Sequence, residues 1–334
     1  KSDEVDILVI GGGPAGSTAA SMAARSGLSV KVCERSKFPR EHVGESLLPA
    51  SIAILEELGL KEAISNAGFL PKYGATMVWG QDDTPWSWRF SETNKQNIHS
   101  YQVSRPIFDE ILLKRSAELG VLVEEESSVT KILTDDSNRG AVVTNKIGQE
   151  YFQPAKFIVD ASGQSALLAR NLNLRQWDEN FQNLAVYGYF AGAKKLPVPD
   201  ENNIFIESYE NGWVWTIPLN DDITSVGAVV DSNESNAELR KTDPITFLKD
   251  QLSLTNRTSD MLSEAELQSD AKILKDWSYT TSKMAGDGWV LAGDAACFID
   301  PLFSSGVHLA MMSGVLASAY AVTYLKDKIL GKES

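Results

Sequence analysis

Residues 11–16 read Gly-Gly-Gly-Pro-Ala-Gly and stand between an apolar, β-branched run and a run of small residues with helical spacing. No other feature narrows the possible folds as much. In a G-x-G-x-x-G turn, Gly11 permits the bend out of the strand and Gly13 lets a pyrophosphate approach the backbone. Gly16 lets helix and strand pack closely. Pro14 and Ala15 open the helix, whose unpaired N–H groups and positive dipole end favour phosphate. Residues 5–10 and 28–33 read as buried strands and 17–26 as the helix between them, a βαβ unit. Glu34 follows the second strand, about 20 residues beyond the turn, where a carboxylate accepts ribose hydroxyls. Arg35 is assigned to the same site. These residues imply a dinucleotide and leave FAD and NAD equally open.

The rest of the chain supplies two kinds of structure. Ser46 reads as the cap of a helix running to about residue 58, with Pro49 in its first turn, and 105–119 has helical spacing behind Pro106. Short strands are expected at 121–124, 129–133, 141–145 and 157–159, with a strand-like aromatic stretch at 74–88. Segments 184–192, 203–208, 212–218 and 224–231 read as an antiparallel sheet. Helix is expected at 244–252 and in part of 261–267, and a last buried strand at 289–292 feeds a long final helix. The fold class is therefore α/β, a doubly wound, Rossmann-like nucleotide domain interleaved with an antiparallel-sheet substrate domain. The nucleotide domain takes 1–71, 101–175 and 286–330, and the sheet domain 72–100 and 176–285.

Composition removes several classes of function. With 334 residues, 43% hydrophobic, the chain can bury a large core, and a net charge of −14 argues against nucleic acid or an anionic membrane surface. Only Cys33 and Cys297 are present, which excludes a disulfide framework and a cysteine metal site and suits a reducing, cytoplasmic setting. No signal peptide is read at the start. Residues 306–325 are apolar enough to suggest a membrane helix, but their Ser, Gly, His and Tyr content reads as a helix buried in a soluble protein, without membrane insertion. His42, His99 and His308 are too scattered for a metal site and are expected in satisfied structural roles.

Later motifs resolve the choice of dinucleotide. Asp160-Ala161-Ser162-Gly163, Arg105 with Asp109, and Gly293-Asp294-Ala295-Ala296 resemble the fingerprints of the flavoprotein monooxygenase superfamily. The resemblance implies FAD, with Asp294 on the ribityl chain and Arg105 helping to hold the cofactor. Asp300 to Gly306 opens the final helix, and a helix start stabilises an anion, whether reduced flavin or halide. In Trp213-Val214-Trp215-Thr216-Ile217-Pro218 the two indoles share a strand face. They form either a wall beside a flavin or a pair of core aromatics.

Trp-x-Trp-x-Ile-Pro, together with Gly44-Glu45-Ser46 and the loop at 300–306, is similar to the signature of the flavin-dependent halogenases. That resemblance implies reduced FAD delivered by a separate flavin reductase, and chloride or bromide held near Ser305 and Gly306. Hypohalous acid would pass a shield of Trp213, Trp215, Ile217 and Pro218 to an essential lysine, here Lys72. Gly44, Glu45, Ser46, Pro301 and Gly306 would line the cofactor. A neutral Lys72 would form a haloamine and a charged one would hydrogen-bond the oxidant; both remain open. Phe303 stands where the tryptophan halogenases carry a glutamate, which points to phenols or pyrroles, including carrier-protein-tethered ones, in secondary metabolite biosynthesis. An acidic carrier would need a local basic patch on this acidic chain. The family's usual helical C-terminal region is expected to be absent, since the chain stops soon after the long helix. A flavin hydroxylase or prenyl-type reductase, and a flavin-binding protein without turnover, are the alternatives.

Overall fold

The computed structural model describes residues 3–327. Strand Val5–Ile10 lies between Glu150–Asp160 and Val30–Cys33, with Trp289–Leu291 and Leu122–Glu124 outside them, all parallel. Parallel strands covered on both faces require apolar side chains throughout, which is why Val5–Ile10 is buried at all but Asp6. One face carries helices Pro14–Arg25 and Gly306–Lys326, which meet Ile7, Val9 and Phe157. The other is covered by the hairpin Ser128–Leu133 and Gly140–Thr144 and by the short helix Leu167–Asn171. The run expected at 157–159 is the end of an 11-residue strand, antiparallel to its hairpin partner in its first half and parallel to Val5–Ile10 in its second.

A second sheet runs in the order Glu266–Leu267, Arg175–Ala191, Ile223–Asp231, Gly212–Pro218, Ile204–Tyr209, Gly74–Val78, Trp86–Arg89, and Lys272–Thr281 also pairs with Arg175–Ala191. It is antiparallel except that Ile204–Tyr209 runs parallel to Gly74–Val78. Val214, Val226 and Ala228 face helix Pro244–Ser253. Trp213, Trp215 and Ile217 project from the opposite face, among Tyr187, Ile206 and Val229, and that face also takes Val43 and Leu302 from the nucleotide side. The aromatic face of the second sheet is therefore turned onto two loops of the first.

Several expectations need correction. Ser46 caps no helix: it bridges to Gln102, and the helix starts at Ala50 behind Pro49. The helix expected within 261–267 ends at Met261, and Glu266–Leu267 is a strand. Lys72 lies in a separate two-stranded sheet, Leu70–Lys72 with Ser100–Gln102. The final helix is long and apolar enough to cross a membrane, and it is not buried all round. Met311, Ala317, Ala321 and Tyr324 face the core, whereas Leu316 on the outer side is 62% exposed.

The two helices of the nucleotide face come close at Gly314, where a Cβ would lie 2.5 Å from Ala15 O and 3.0 Å from Thr18 Cβ. Alanine is the better helix former by about 1 kcal/mol, but overpacking against backbone costs about 1–3 kcal/mol. Gly314→Ala is expected to lower the urea midpoint and Tm. A variant as stable as the parent would show that this helix contact has slack.

Candidate active site

The first strand delivers the chain to Gly11 at φ +100°, and the next turn is so tight that a Cβ on Gly16 would stand 1.9 Å from Gly11 O. Helix Pro14–Arg25 then begins with Gly13 as its N-cap and no side-chain cap. Its first N–H groups are left for an anion. The guanidinium of Arg40 borders Gly13 on its Cβ side, its Nη2 3.3 Å from where a Cβ would stand. Arg40 went unnoticed in the sequence because its importance comes from a loop that folds back over the glycine turn.

Glu34 is buried and accepts from Gly12 N–H at 2.7 Å and Ser36 N–H at 2.8 Å. Arg35 is exposed and donates to the Ser165 hydroxyl at 3.1 Å. The carboxylate of Asp160 is fully buried and serves its own loop, accepting from Ser162 N–H at 3.0 Å and Leu168 N–H at 2.7 Å. Asp294, beside Gly293, is different: among the described residues its carboxylate accepts no hydrogen bond. Burial raises its pKa to about 6 against the opposing charge of Arg105. An uncapped helix start, a positioned acid at Glu34 and an unanswered carboxylate at Asp294 fit a dinucleotide with a hydroxylated chain. Those are the residues that would hold it.

Arg105 organises the neighbouring loop. It is 4% exposed and makes a two-pronged pair with Asp109, Nε to Oδ1 at 2.7 Å and Nη2 to Oδ2 at 2.9 Å. Its Nη1 donates to Val43 O at 2.5 Å and Gly44 O at 3.2 Å. Arg40 adds a second cation, 3.1 Å from Asp109. Next along, buried Glu45 accepts from the Tyr189 hydroxyl at 2.9 Å while its Oε2 has no hydrogen-bond partner. Burial raises its pKa to about 7, opposed by the hydroxyls of Ser225 and Tyr189 and by Arg105. The Ser46 hydroxyl is buried without a partner. Leu47 O accepts from Lys72 Nζ at 3.2 Å.

Trp213 and Trp215 are 8% and 5% exposed, with ring centroids 6.2 Å apart, and Ile217 and Pro218 continue the buried strand. Their face meets Val43 at one end of the Arg105-held loop and Leu302 in the loop before the final helix. In that second loop Asp300 accepts from Leu302 N–H at 2.8 Å, and Pro301 opens a short turn. Ser305 precedes the final helix without a side-chain cap, so the N–H groups near Ser305 and Gly306 are open to an anion. Phe303 is 63% exposed. Of the histidines, His42 lies 2.7 Å from Val43 O and His99 3.4 Å from the Tyr101 hydroxyl, whereas His308 Nδ1 is buried without a partner, contrary to the expectation of a satisfied role.

Lys72 is 1% exposed. Its amine sits 5.4 Å from the Phe90 ring centroid and forms no ion pair among the described residues. Burial alone brings its pKa down to about 7. Val43, against the tryptophan face, and Leu47, on the lysine, are four residues apart, a span of at most about 14 Å of extended chain.

The model of the FAD binding domain family matches residues 4–323. A tryptophan 2-halogenase of Chondromyces crocatus is 39% identical over 97% of this chain, which spans 62% of that protein's length. A 1H-pyrrole-2-carbonyl-[peptidyl-carrier protein] chlorinase of Pseudomonas fluorescens is 35% identical over 99% of the chain, which spans 78% of its length. Among solved structures, the myxobacterial chondrochloren halogenase CndH superposes with a TM-score of 0.92 at 39% identity, covering 97% of this chain and 76% of that one.

A buried, unpaired amine leaves a mark that needs no ligand. In the folded chain the Lys72 pKa is below its ordinary value, so the unfolded state binds the extra proton between about pH 7 and 10.5. The resulting destabilisation is fully present below pH 7 and fades as pH rises towards 10.5. Lys72→Met is expected to stabilise the protein by on the order of a few kcal/mol at pH 7, and the gain should shrink as the pH is raised. Urea unfolding at pH 7 and pH 10 checks this; an equal effect at both would mean the amine is not desolvated.

Proposed function

We propose a reaction for a chain that belongs to the FAD-binding family and, within it, to the flavin-dependent halogenases: halogenation of an electron-rich aromatic ring. Bound reduced FAD, with oxygen and chloride or bromide, supplies the two-electron oxidant, hypohalous acid. Gly11, Gly13, Pro14, Ala15, Gly16, Glu34 and Arg35 would hold the adenosine diphosphate portion, and Gly44, Arg105, Asp160, Gly293, Asp294 and Pro301 the flavin portion. The N–H groups near Ser305 and Gly306 would hold the halide. Trp213, Trp215, Ile217 and Pro218 would keep the acceptor ring from the flavin, so that only a small oxidant crosses to Lys72. There the ring takes the halogen, loses its proton, and releases water from the hypohalous acid.

The observation that carries this reading is the amine of Lys72, buried, unpaired by any carboxylate and poised near neutrality. A neutral amine there would give its lone pair to the oxidant, its own N–H proton leaving with the departing oxygen, and a charged one would hydrogen-bond the oxidant. Phe303 in the helix-opening loop and the pyrrole-carrier chlorinase among the relatives favour a phenol or pyrrole, free or carrier-bound. A separate flavin reductase would supply reduced FAD, and a reducing, cytoplasmic compartment suits the two free cysteines. The division into nucleotide segments 1–71, 101–175 and 286–330 around a sheet domain belongs to the same reading.

The test supplies reduced FAD, oxygen and bromide with an activated phenol or pyrrole and looks for brominated product by mass. Lys72→Ala is expected to lower product by about 100-fold or more while reduced FAD is still reoxidised. Continued halogenation by that variant would remove Lys72 from the mechanism. A hydroxylated product would indicate a monooxygenase instead, and no product with any acceptor would leave a flavin-binding protein without turnover.

A further inference from the structure

The two tryptophans of the shield are not held alike. Cross-strand register puts Trp215 opposite Gly227 and Trp213 opposite Val229. A Cβ on Gly227 would lie 2.3 Å from Trp215 Cζ2, 2.4 Å from its Cη2 and 2.6 Å from Tyr187 Cβ. The six-membered ring of Trp215 thus lies across the neighbouring strand, in the space a side chain at 227 would fill. Two residues earlier on the same face, Ser225 Oγ accepts from Trp215 Nε1–H at 3.3 Å. That bond selects one of the two edge-to-edge orientations of the indole, since a flip about χ2 carries the N–H away from the hydroxyl. Tyr187 closes the third side, with its ring centroid 6.0 Å from that of Trp215. Trp213 has a valine opposite it and no hydrogen bond to its indole among the described residues.

Beyond Ser225 lies Glu45, whose charged form the Ser225 hydroxyl favours. Glu45 accepts from Tyr189 and belongs to the loop that Arg105 and Lys72 hold through Val43, Gly44 and Leu47.

We propose that Gly227 and Ser225 are positioning residues that fix the attitude of the Trp215 indole, making it the rigid member of the shield. This rests on the reading of the pair as a shield. On it, loosening Trp215 would leave the formation of oxidant intact and change where the oxidant goes.

Two readouts test this on the full chain. In FAD-free, ¹⁵N-indole-labelled protein, with the Trp215 resonance assigned from Trp215→Phe, Ser225→Ala is expected to speed solvent exchange of the indole N–H. The gain should be about ten-fold, the worth of one neutral hydrogen bond, with the other indoles unchanged. Ser225→Thr, which keeps a hydroxyl, should restore protection. In turnover with bromide, Ser225→Ala and Gly227→Ala should lower brominated product per reduced FAD consumed by several-fold. Reoxidation of reduced FAD should hold its rate, and free oxidant trapped in bulk should rise. Should Gly227→Ala fail to fold, Ser225→Ala still decides, since it removes a single oxygen. Unchanged exchange in Ser225→Ala overturns the positioning role whatever the parent's activity. Changed exchange in a parent that never brominates supports the positioning role and sinks the halogenase reading. Changed exchange with an unaltered product ratio in a brominating parent refutes the claim that the attitude of Trp215 governs the oxidant's path.

Discussion

A guanidinium cannot stay charged and dry without acceptors, and Arg105 makes four hydrogen bonds within the fold. Asp109, one helical turn away, takes two of its bonds, and the carbonyls of Val43 and Gly44 take the rest. The cost of breaking such a pair is several kcal/mol, because either partner alone would be a stranded charge. The start of the loop from Val43 to Leu47 is thereby tied to that helix. Everything else at the site is measured from that loop: the tryptophan face touches one end, Tyr189 its middle and the lysine its far end.

The charges around this anchor are handled in the opposite manner. Lys72, Glu45 and Asp294 are each pushed by burial towards the form without charge, and none is given a matched partner. A fold optimised for stability alone would pair them or replace them with apolar groups. Shifted, unmatched groups of this kind collect at functional sites more often than in ordinary cores, and the Ser46 hydroxyl is likewise buried without a partner. The regular packing of the parallel sheet and its two long helices stabilises the chain against that local cost.

Much of this was legible from the residues. The glycine turn, its helix and Glu34 form a local pattern, and local patterns survive folding unchanged. The paired tryptophans were readable as sharing a face because strand alternation is itself local. What escaped was whatever depends on register between distant strands. Nothing near Gly227 or Ser225 in the chain announces an indole, since the pairing that brings Trp215 over them is set by the sheet. Arg40 and Tyr189 were missed because each meets its partner through a loop that only the tertiary fold brings near. Ser46 was misjudged as a helix cap because a serine before an apolar run has two uses, and its bridge to Gln102 belongs to a strand partner far along the chain. The final helix looked wholly buried because hydropathy does not say which side finds a neighbour.

The parallel pairing of Ile204–Tyr209 with Gly74–Val78 has a kinetic meaning. The sheet bearing the tryptophans takes strands from both sides of the chain between Val78 and Ile204, and that stretch contains Arg105, its helix and a central strand of the nucleotide sheet. Loop-closure entropy for so distant a contact has to be met before the contact yields anything in return. The long-range step in this sheet is that edge pairing, whereas the strands on either side of the tryptophans are joined to theirs by local hairpins. The nucleotide sheet makes closures of the same reach, Val5 to Ala155 and Ile158 to Trp289, so each sheet interrupts the other along the chain and needs distant segments before it is complete.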